Sequence, residues 1–211
     1  MKPNRLTFNV IGDSPLAETM RLGLSAAQHV QQDDNNADLL FFCLDKDELP
    51  IRVETYIQTG QIKPGQLVAH SCADFGYSIF SEAAKIGAIP LAIHPAMRFT
   101  GTSIDLVRLH DSRIAVGAPI VALPIAQALA IELGGEPVVI SEEARAAYAE
   151  AISVALDFSA LVTSQAIGLL EDAGVENARA IIGPVIRSSI DRALADGHQP
   201  LDPEDAVGGF E

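Results

Sequence analysis

The sequence predicts an α/β protein in which a parallel, doubly wound sheet is followed by an all-helical region. Apolar, strand-like runs alternate with helix-length segments up to about Ser141, which is the pattern of a parallel sheet covered by helices. A glycine-containing turn, Gly12–Ala17, joins the first strand to the first helix. After Ser141 the alternation stops, and residues 142–172 contain no proline. We therefore expect a first domain over 1–141 and a second over 142–211.

Composition restricts the class of protein. With 48% hydrophobic and 20% charged residues among 211, the chain can bury a substantial core. The net charge of −14 makes nucleic acid and anionic membrane surfaces unfavourable partners. Cys43 and Cys72 lie in apolar runs, so we expect two buried free thiols rather than a disulfide or a metal pair. Because no apolar run reaches the roughly 18 residues of a membrane span and no signal peptide opens the chain, we expect a cytoplasmic protein that does not enter a membrane.

Six apolar runs are the predicted strands, and they cover residues 6–11, 38–44, 66–72, 88–94, 113–116 and 137–140. Runs that are apolar on both faces are typical of parallel strands with helices on both sides. The helix before the last strand begins near Pro124 and ends at Gly134–Gly135.

A further strand near residues 28–32 is harder to place. Asp33 and Asp34 follow it, where a dinucleotide-binding fold has a ribose-binding acid. Only Asn35–Ala37 separates these acids from Asp38, whereas a parallel crossover needs about a dozen residues. Either residues 28–32 lie outside the sheet, which we expect, or their next neighbour in the sheet is not parallel. We expect Asp33 to lie in a solvated loop, with a ribose-binding role as the alternative.

The turn after the first strand has the position of a dinucleotide site but only part of its chemistry. Where such folds have G-x-G-x-x-G, this chain has Gly12, Ser14 and Ala17. Ser14 puts a side chain where the backbone should approach a pyrophosphate, and Asp13 adds repulsion. We expect weak or absent binding of NADP or NAD, with the amides of Ser14 to Leu16 open to a smaller anion.

Much of the predicted helix over 142–172 is apolar on every side. Such a helix must be covered on every side, and its only neighbour along the chain is a second helix over about 176–196. We therefore expect a homodimer built on this region. Asp157 in the apolar stretch is costly unless it is paired, so we expect it to be buried and paired. Arg187, within the chain or across the dimer, is the first candidate partner.

Three stretches, residues 37–47, the His70–Gly76 loop and the histidine–proline segment Ile93–Phe99, resemble the 6-phosphogluconate dehydrogenase-like superfamily. The order of the pieces is more closely similar to Rossmann-like proteins assigned as NADP- or deazaflavin-dependent oxidoreductases. The resemblance implies a dinucleotide-binding domain followed by a helical dimerisation domain. Its cofactor-binding positions correspond here to Gly12, Asp13, Ser14, Leu44, Asp45 and Ser71.

The helical domain both matches and departs from this family. Tyr148 matches the family's tyrosine and Arg187 its second helix, whereas Ala149 replaces a histidine and Asp157 an asparagine. Related dehydrogenases use a polar residue on this helix for proton transfer or substrate binding. The resemblance thus implies a catalytic role for Asp157 and substrate contacts for Tyr148 and Arg187.

Two histidines end predicted parallel strands, at the edge where ligands bind in open α/β sheets. His70 and His94 could each transfer protons near neutral pH, or each could cap a strand end by a hydrogen bond to the loop. Arg98, four residues past His94, could clamp a carboxylate or phosphate, or be a surface arginine.

These observations predict an NAD(P)-dependent oxidoreductase-like protein acting on a small, anionic substrate near His94 and Arg98, without a metal. The alternative is a catalytically inactive dimer that keeps the fold as a ligand sensor or interaction module. The altered glycines and Ala149 favour the alternative, whereas the fold analogy favours the enzyme.

Overall fold

The structure is a computed structural model that describes residues 5–197. Its strands are β1 Thr7–Ile11, β2 Val30–Gln31, β3 Leu39–Phe42, β4 Leu67–His70, β5 Ile89–Pro95, β6 Arg113–Gly117 and β7 Glu136–Val139. Its helices are α1 Pro15–Ala26, α2 Glu48–Gln58, α3 Ser81–Lys85, α4 Ile104–His110, α5 Leu123–Glu132, α6 Arg145–Ser153, α7 Ser159–Asp172 and α8 Ala178–Asp196. A 3₁₀ turn, Tyr77–Phe80, precedes α3, and a π-helical turn, Val154–Phe158, joins α6 to α7.

The strands form one sheet in the order β2-β1-β3-β4-β5-β6-β7, which confirms the predicted α/β class. All neighbours are parallel except β5 and β6, which run antiparallel with Ala92 opposite Gly117. The expectation of a wholly parallel sheet is therefore wrong at this pair. Strand hydrophobicity predicts burial but not direction, so the sequence could not show this reversal.

The expectation that residues 28–32 lie outside the sheet is wrong. Val30 and Gln31 pair in parallel with Thr7 and Phe8, while β3 pairs with the other side of β1 from Phe8 onward. Strand β2 has only two residues, and it pairs with the start of β1. Strand β3 begins opposite Phe8 on the other side of β1, so the connection from β2 to β3 can be short. The crossover rule fails here because it assumes a full-length strand.

Two buried cores lie on opposite faces of the sheet. Alternate residues of β3 point to different faces, so Leu39 and Phe41 pack with α1 and α5, while Leu40 and Phe42 pack with α2 and α3. Cys43 and Cys72 are buried and free, as expected. This three-layer arrangement makes both faces of β3 apolar.

The chain divides into two compact units between Ser153 and Val154. Helix α6 belongs to the first unit, so this division lies beyond the predicted domain boundary at Ser141. Helices α7 and α8 form the second unit and leave many large apolar side chains exposed, among them Phe158, Leu161, Val162, Leu169, Val185 and Leu194.

The helical stretch Arg145–Asp172 is long and apolar enough to cross a membrane, with 28 residues and a mean hydropathy of 1.5. None of its most apolar window is buried within the chain. A helix that packs in the core of a soluble protein passes the same test.

Candidate functional site

A cleft of about 610 Å³ lies where β1 and β3 end, which is the edge where open α/β sheets bind ligands. Its walls are the β1–α1 turn, the end of β3, the start of α2 and the loop after β5. The lining residues are Gly12, Asp13, Ser14, Pro15, Leu16, Cys43, Leu44, Asp45, Glu48, Arg52 and Phe99. The structure thus brings together all the predicted cofactor-binding residues except Ser71, which is buried outside the lining.

Gly12 is required by the backbone of the protein itself. Its φ of +128° is disfavoured for any residue with a side chain, and a Cβ at this position would collide with the carbonyl oxygen of Cys43. Arg21 on α1 holds the turn by donating hydrogen bonds to the carbonyls of Gly12 and Val10. The close approach of two backbone segments therefore explains this glycine without a bound pyrophosphate.

The N-terminus of α1 already has an acceptor. The Oγ atom of Ser14 accepts a hydrogen bond from the Ala17 amide at 3.2 Å, which is the capping role of serine. Pro15 opens the helix and has no N–H. Of the amides expected to hold a smaller anion, only those of Ser14 and Leu16 exist, so the expectation that the whole Ser14–Leu16 segment donates is wrong.

Carboxylates outnumber cations in the cleft lining. Asp13, Asp45 and Glu48 are acidic, whereas Arg52 is the one basic residue among the lining residues of the described chain. Asp45 is already engaged, because its Oδ1 atom accepts hydrogen bonds from the amides of Asp47 at 3.0 Å and Glu48 at 2.9 Å. The excess of negative charge disfavours a pyrophosphate.

The ribose-binding side of the cleft is reduced as well. Strand β2 ends at Gln31, opposite Phe8, while β1 continues to Ile11. Asp33 is exposed in the loop that follows and does not line the cleft. The structure thus agrees with the solvated-loop interpretation of Asp33.

A second polar group, which we call the His94 cluster, comprises His94, Tyr148 and Arg145. The Nδ1 atom of His94 and the hydroxyl oxygen of Tyr148 are 2.7 Å apart, and the two rings meet edge to face with centroids 5.7 Å apart. Tyr148 lies on α6, so this helix brings a predicted substrate residue to a predicted catalytic one. Because β5 is two strands from β3, the cluster is about 10 Å along the sheet from the end of β3.

Sequence reasoning missed Arg145, the first residue of α6. It is 3% exposed, its Cζ atom lies 5.5 Å from the centroid of the Tyr148 ring, and its Nε, Nη1 and Nη2 atoms have no hydrogen-bond partner among residues 5–197. Gly117 makes room, since a Cβ there would come within 3.1 Å of Nη2. A basic residue in the first turn opposes the helix dipole, which is the one sequence feature that could have drawn attention to it.

The charges of the cluster follow from burial. Desolvation, with help from the Arg145 charge, lowers the pKa of His94 to about 4, while Asp74 opposes the shift. Desolvation raises the pKa of Tyr148 to about 12, and the Arg145 charge offsets part of this. Burial lowers the pKa of Arg145, yet a guanidinium stays protonated in proteins. At neutral pH the His94–Tyr148 pair is therefore uncharged and Arg145 is the cation.

His70 braces the loop after β4. It is fully buried, its Nε2 atom donates to the Gly76 carbonyl at 2.9 Å, and its Nδ1 atom accepts from the Cys72 amide at 3.1 Å. Burial lowers its pKa to about 4. Both ring nitrogens are occupied, so the structure supports the strand-capping alternative for His70 over the predicted catalytic role.

Three further predicted residues, Arg98, Asp157 and Arg187, are exposed. Arg98 is exposed in the loop after β5 and makes no hydrogen bond or ion pair within the described part of the chain. Asp157 and Arg187 are exposed in the second unit. The expected burial of Asp157 rests on the predicted partner copy and stays a prediction. Residues 5–197 contain no group of three or more His, Cys, Asp or Glu side chains suited to a metal ion.

Two family models match this chain in sequence. Residues 13–95 match a Rossmann-like domain. The chain carries a Rossmann-like domain. Residues 112–201 match a domain of unknown function, DUF2520, which follows the Rossmann-like match along the chain. No curated protein matches the sequence.

Solved structures share the fold across most of the chain. A protein from Bacteroides fragilis assigned as an NADP oxidoreductase is 14% identical, with a TM-score of 0.69 over 97% of this chain and 85% of that one. An imine reductase from Streptomyces aurantiacus is 16% identical, with a TM-score of 0.66 over 89% and 74%. Pyrroline carboxylate reductase from Plasmodium falciparum, solved with NADP bound, is 11% identical, with a TM-score of 0.63 over 100% and 86%.

At these identities the likeness shows the fold alone. Together with the family models, it confirms the predicted fold, a Rossmann-like domain followed by a helical region. The Rossmann-like domain therefore provides the cleft, and α6 adds the His94 cluster beside it.

Proposed function

We propose that this protein is an NAD(P)-dependent oxidoreductase of low dinucleotide affinity, acting on a small anionic substrate at the His94 cluster. The observation that carries the proposal is the 2.7 Å contact between His94 Nδ1 and the Tyr148 hydroxyl, next to a cleft at the cofactor edge of a Rossmann-like sheet. Such a pair can supply the proton that accompanies reduction of a carbonyl or imine.

The cleft residues fit a dinucleotide in position and size. Its volume of about 610 Å³ lies in the range of small-molecule sites, and Gly12 gives the tight turn. Leu44 and Asp45 would lie along the dinucleotide, and the amides of Ser14 and Leu16 would face its phosphates. A nicotinamide dinucleotide bound there would supply a hydride.

The residues of the cluster hold and move the proton. With both groups neutral, the Tyr148 hydroxyl donates to Nδ1 of His94, and the Nε2–H of His94 is then available to a substrate oxygen. The Nε2 proton passes to an oxygen that becomes negative on reduction, while Nδ1 takes the hydroxyl proton of Tyr148. The tyrosinate left behind lies beside the Arg145 guanidinium, and solvent returns the proton.

A second candidate function is ligand binding without redox chemistry. The Ser14 cap, the missing N–H of Pro15 and the carboxylate of Asp13 favour it, because each removes or opposes a phosphate contact. In this case the Rossmann-like domain is a scaffold that senses a small anion at the cluster.

Calorimetric titration with NADPH, NADH and their oxidised forms separates the two candidates. We expect dissociation constants in the high micromolar range or weaker, because a few lost hydrogen bonds at about 1–3 kcal/mol each reduce affinity by several tenfold steps. Binding that saturates at high micromolar concentration supports the enzyme. A flat titration at millimolar concentration would favour the non-catalytic candidate.

We also propose that the protein is a cytoplasmic homodimer and that its partner copy covers the apolar helices. The exposed Leu161 and its neighbours on α7 support this, because surfaces of this kind are rare on stable monomers. Obligate interfaces bury on the order of 2,000 Å² or more. Sedimentation at micromolar concentration should give a dimer, and Leu161→Glu should dissociate it, whereas Glu171→Gln at the exposed end of α7 should not. A stable native monomer, or membrane association, would contradict the proposal.

A further inference from the structure

We propose that Arg145 anchors a binding site for a small monocarboxylate, completed by His94 and Tyr148. This proposal names the substrate class for the proposed oxidoreductase, and it rests on that function for any reaction of the bound carboxylate. Binding of the carboxylate itself can be measured without a dinucleotide. A buried guanidinium with three unpartnered nitrogens is costly to maintain. The arrangement is understandable if an anion from outside the chain provides the missing acceptors.

The nearest carboxylates of the chain are already committed elsewhere. Glu142 accepts hydrogen bonds from the amides of Tyr77 at 2.9 Å and Ser78 at 3.3 Å, and it packs so tightly against Gly76 that a Cβ there would collide with it. Asp74 faces the Cys72 thiol, with 3.6 Å between Oδ2 and Sγ. Within the described chain neither approaches a guanidinium nitrogen of Arg145 to the 4.0 Å of an ion pair.

The local charge selects a singly charged ligand. Arg145 supplies one positive charge, and both Glu142 and Asp74 are close enough to affect the pKa values of the cluster. A doubly charged phosphate would be left with an unmatched charge between these acids. A carboxylate needs one positive charge, and its two oxygens match the planar fork of an arginine.

The same groups supply the remaining hydrogen bonds. The Tyr148 ring lies over the guanidinium, so the donors at the edge of the guanidinium are the ones left for a ligand. The uncharged His94–Tyr148 pair adds one donor without adding charge. A carboxylate held in this way would place the atoms next to it within reach of the His94 imidazole.

Titration of the full-length protein with acetate, propionate, pyruvate and lactate tests the site, with acetamide, propionamide and inorganic phosphate as matched probes. We expect at least one carboxylate to raise the melting temperature at millimolar concentration, and the amides and phosphate to have no such effect. In NMR titrations the same carboxylate should raise the pKa of His94 above its value of about 4, because it neutralises the Arg145 charge. Absence of both effects for every carboxylate, or an equal effect of phosphate, would overturn the proposal.

Arg145→Met and Arg145→Lys provide the variants. Hydrogen bonds to a charged group contribute enough that Arg145→Met should weaken carboxylate binding by about tenfold to a hundredfold, and Arg145→Lys should weaken it less. Without ligand, Arg145→Met should be at least as stable as the wild type, because it removes a buried unpaired charge. Arg108→Met, at an exposed arginine on α4, is the control and should leave binding unchanged.

A strongly destabilised Arg145→Met protein, together with no carboxylate effect on the wild type, would mean that a carboxylate of the chain or of a partner copy pairs with Arg145, and would overturn the proposal. These titrations contain no dinucleotide, so they can succeed where the NADPH titration fails. If a carboxylate binds and no dinucleotide does, the carboxylate site is supported and the oxidoreductase proposal is contradicted.

Discussion

The cleft at the β1–α1 turn and the His94 cluster lie at the same sheet edge, yet they satisfy their polar groups in opposite ways. In the cleft, Ser14 caps α1, and Asp45 accepts hydrogen bonds from two amides at the start of α2. Side chains of the protein itself therefore already bind the amides that a ligand would use. In the cluster, Arg145 is buried with all its nitrogens unpartnered within residues 5–197. The comparison teaches that the cleft, at the usual cofactor position of the fold, need not be the site with polar groups free to bind a ligand; here the His94 cluster is that site.

The largest expected effect tests whether the cleft glycine serves the protein rather than a ligand. Gly12→Ala should lower the free energy of unfolding by about 3–4 kcal/mol, because a disfavoured φ is combined with a collision against Cys43. Gly60→Ala is the matched control, since its φ is +65° but the space around it is open, and it should cost about 1 kcal/mol. Urea denaturation measures both, and equal losses would contradict our explanation of Gly12.

The strands of this domain were predictable because each is a buried apolar run between turn residues. The failures have specific causes. The strand β2 has two residues, which is too short for periodicity to detect, and its place beside Thr7 and Phe8 is a tertiary fact. The reversal of β6 is invisible because antiparallel and parallel buried strands have the same hydrophobic pattern.

The candidate site was predictable where it follows from sheet topology, as for His94, or from the family resemblance, as for Tyr148. His94 at a strand end and Tyr148 on the long helix were predicted, and the structure brings them together. Arg145 was missed because one arginine among alanines has the pattern of a solvated helix face, and only tertiary packing buries it. Asp157 is exposed in the single chain, and its predicted burial depends on the predicted partner copy, so it stays a prediction.

The next effect concerns the pH dependence of stability. The folded-state pKa of His70 is lowered from 6.5 to about 4, so between these values the unfolded chain binds more protons than the folded one. The contribution of His70 to the free energy of unfolding is therefore fully present above pH 6.5 and is lost as the pH falls towards about 4. The loss amounts to about 3 kcal/mol at most for this histidine.

His94 should add to the same loss, because its pKa is lowered to about 4 as well. The carboxyl of Asp38, whose pKa is lowered from 3.8 by hydrogen bonds from Thr7, contributes only at lower pH. Denaturation curves across this range, with NMR titration of both imidazoles, give the measurement. Imidazoles that titrate near 6.5, with no loss of stability in this window, would show that the histidines are not buried as described.

A smaller effect is expected from restoring the cleft. The double substitution Asp13→Ala with Ser14→Gly removes the exposed carboxylate and frees the Ala17 amide, so NADPH affinity should rise by about tenfold. Removal of the Ser14 cap should lower the free energy of unfolding only slightly, since glycine is tolerated at an N-cap position. Ser25→Gly, at an exposed position of the same helix, is the control and should leave affinity unchanged. An unchanged affinity in the double variant would mean that the short β2, rather than the turn, limits dinucleotide binding.

The smallest effect tests the hydrogen bond within the cluster. Tyr148→Phe removes the hydroxyl that bonds to Nδ1 of His94 and should lower the free energy of unfolding by about 1 kcal/mol, because it leaves a half-buried acceptor unpaired. Tyr56→Phe is the matched control: its ring packs edge to face on Phe42 with centroids 5.1 Å apart, and its hydroxyl makes no hydrogen bond within the described chain. That variant should be unchanged within error in the same urea titration. If both variants lose the same stability, the Tyr148 hydroxyl contributes no more than the Tyr56 hydroxyl, which has no hydrogen-bond partner within the described chain. This result would contradict the hydrogen bond between Tyr148 and His94 but not the unpartnered state of Arg145 within residues 5–197.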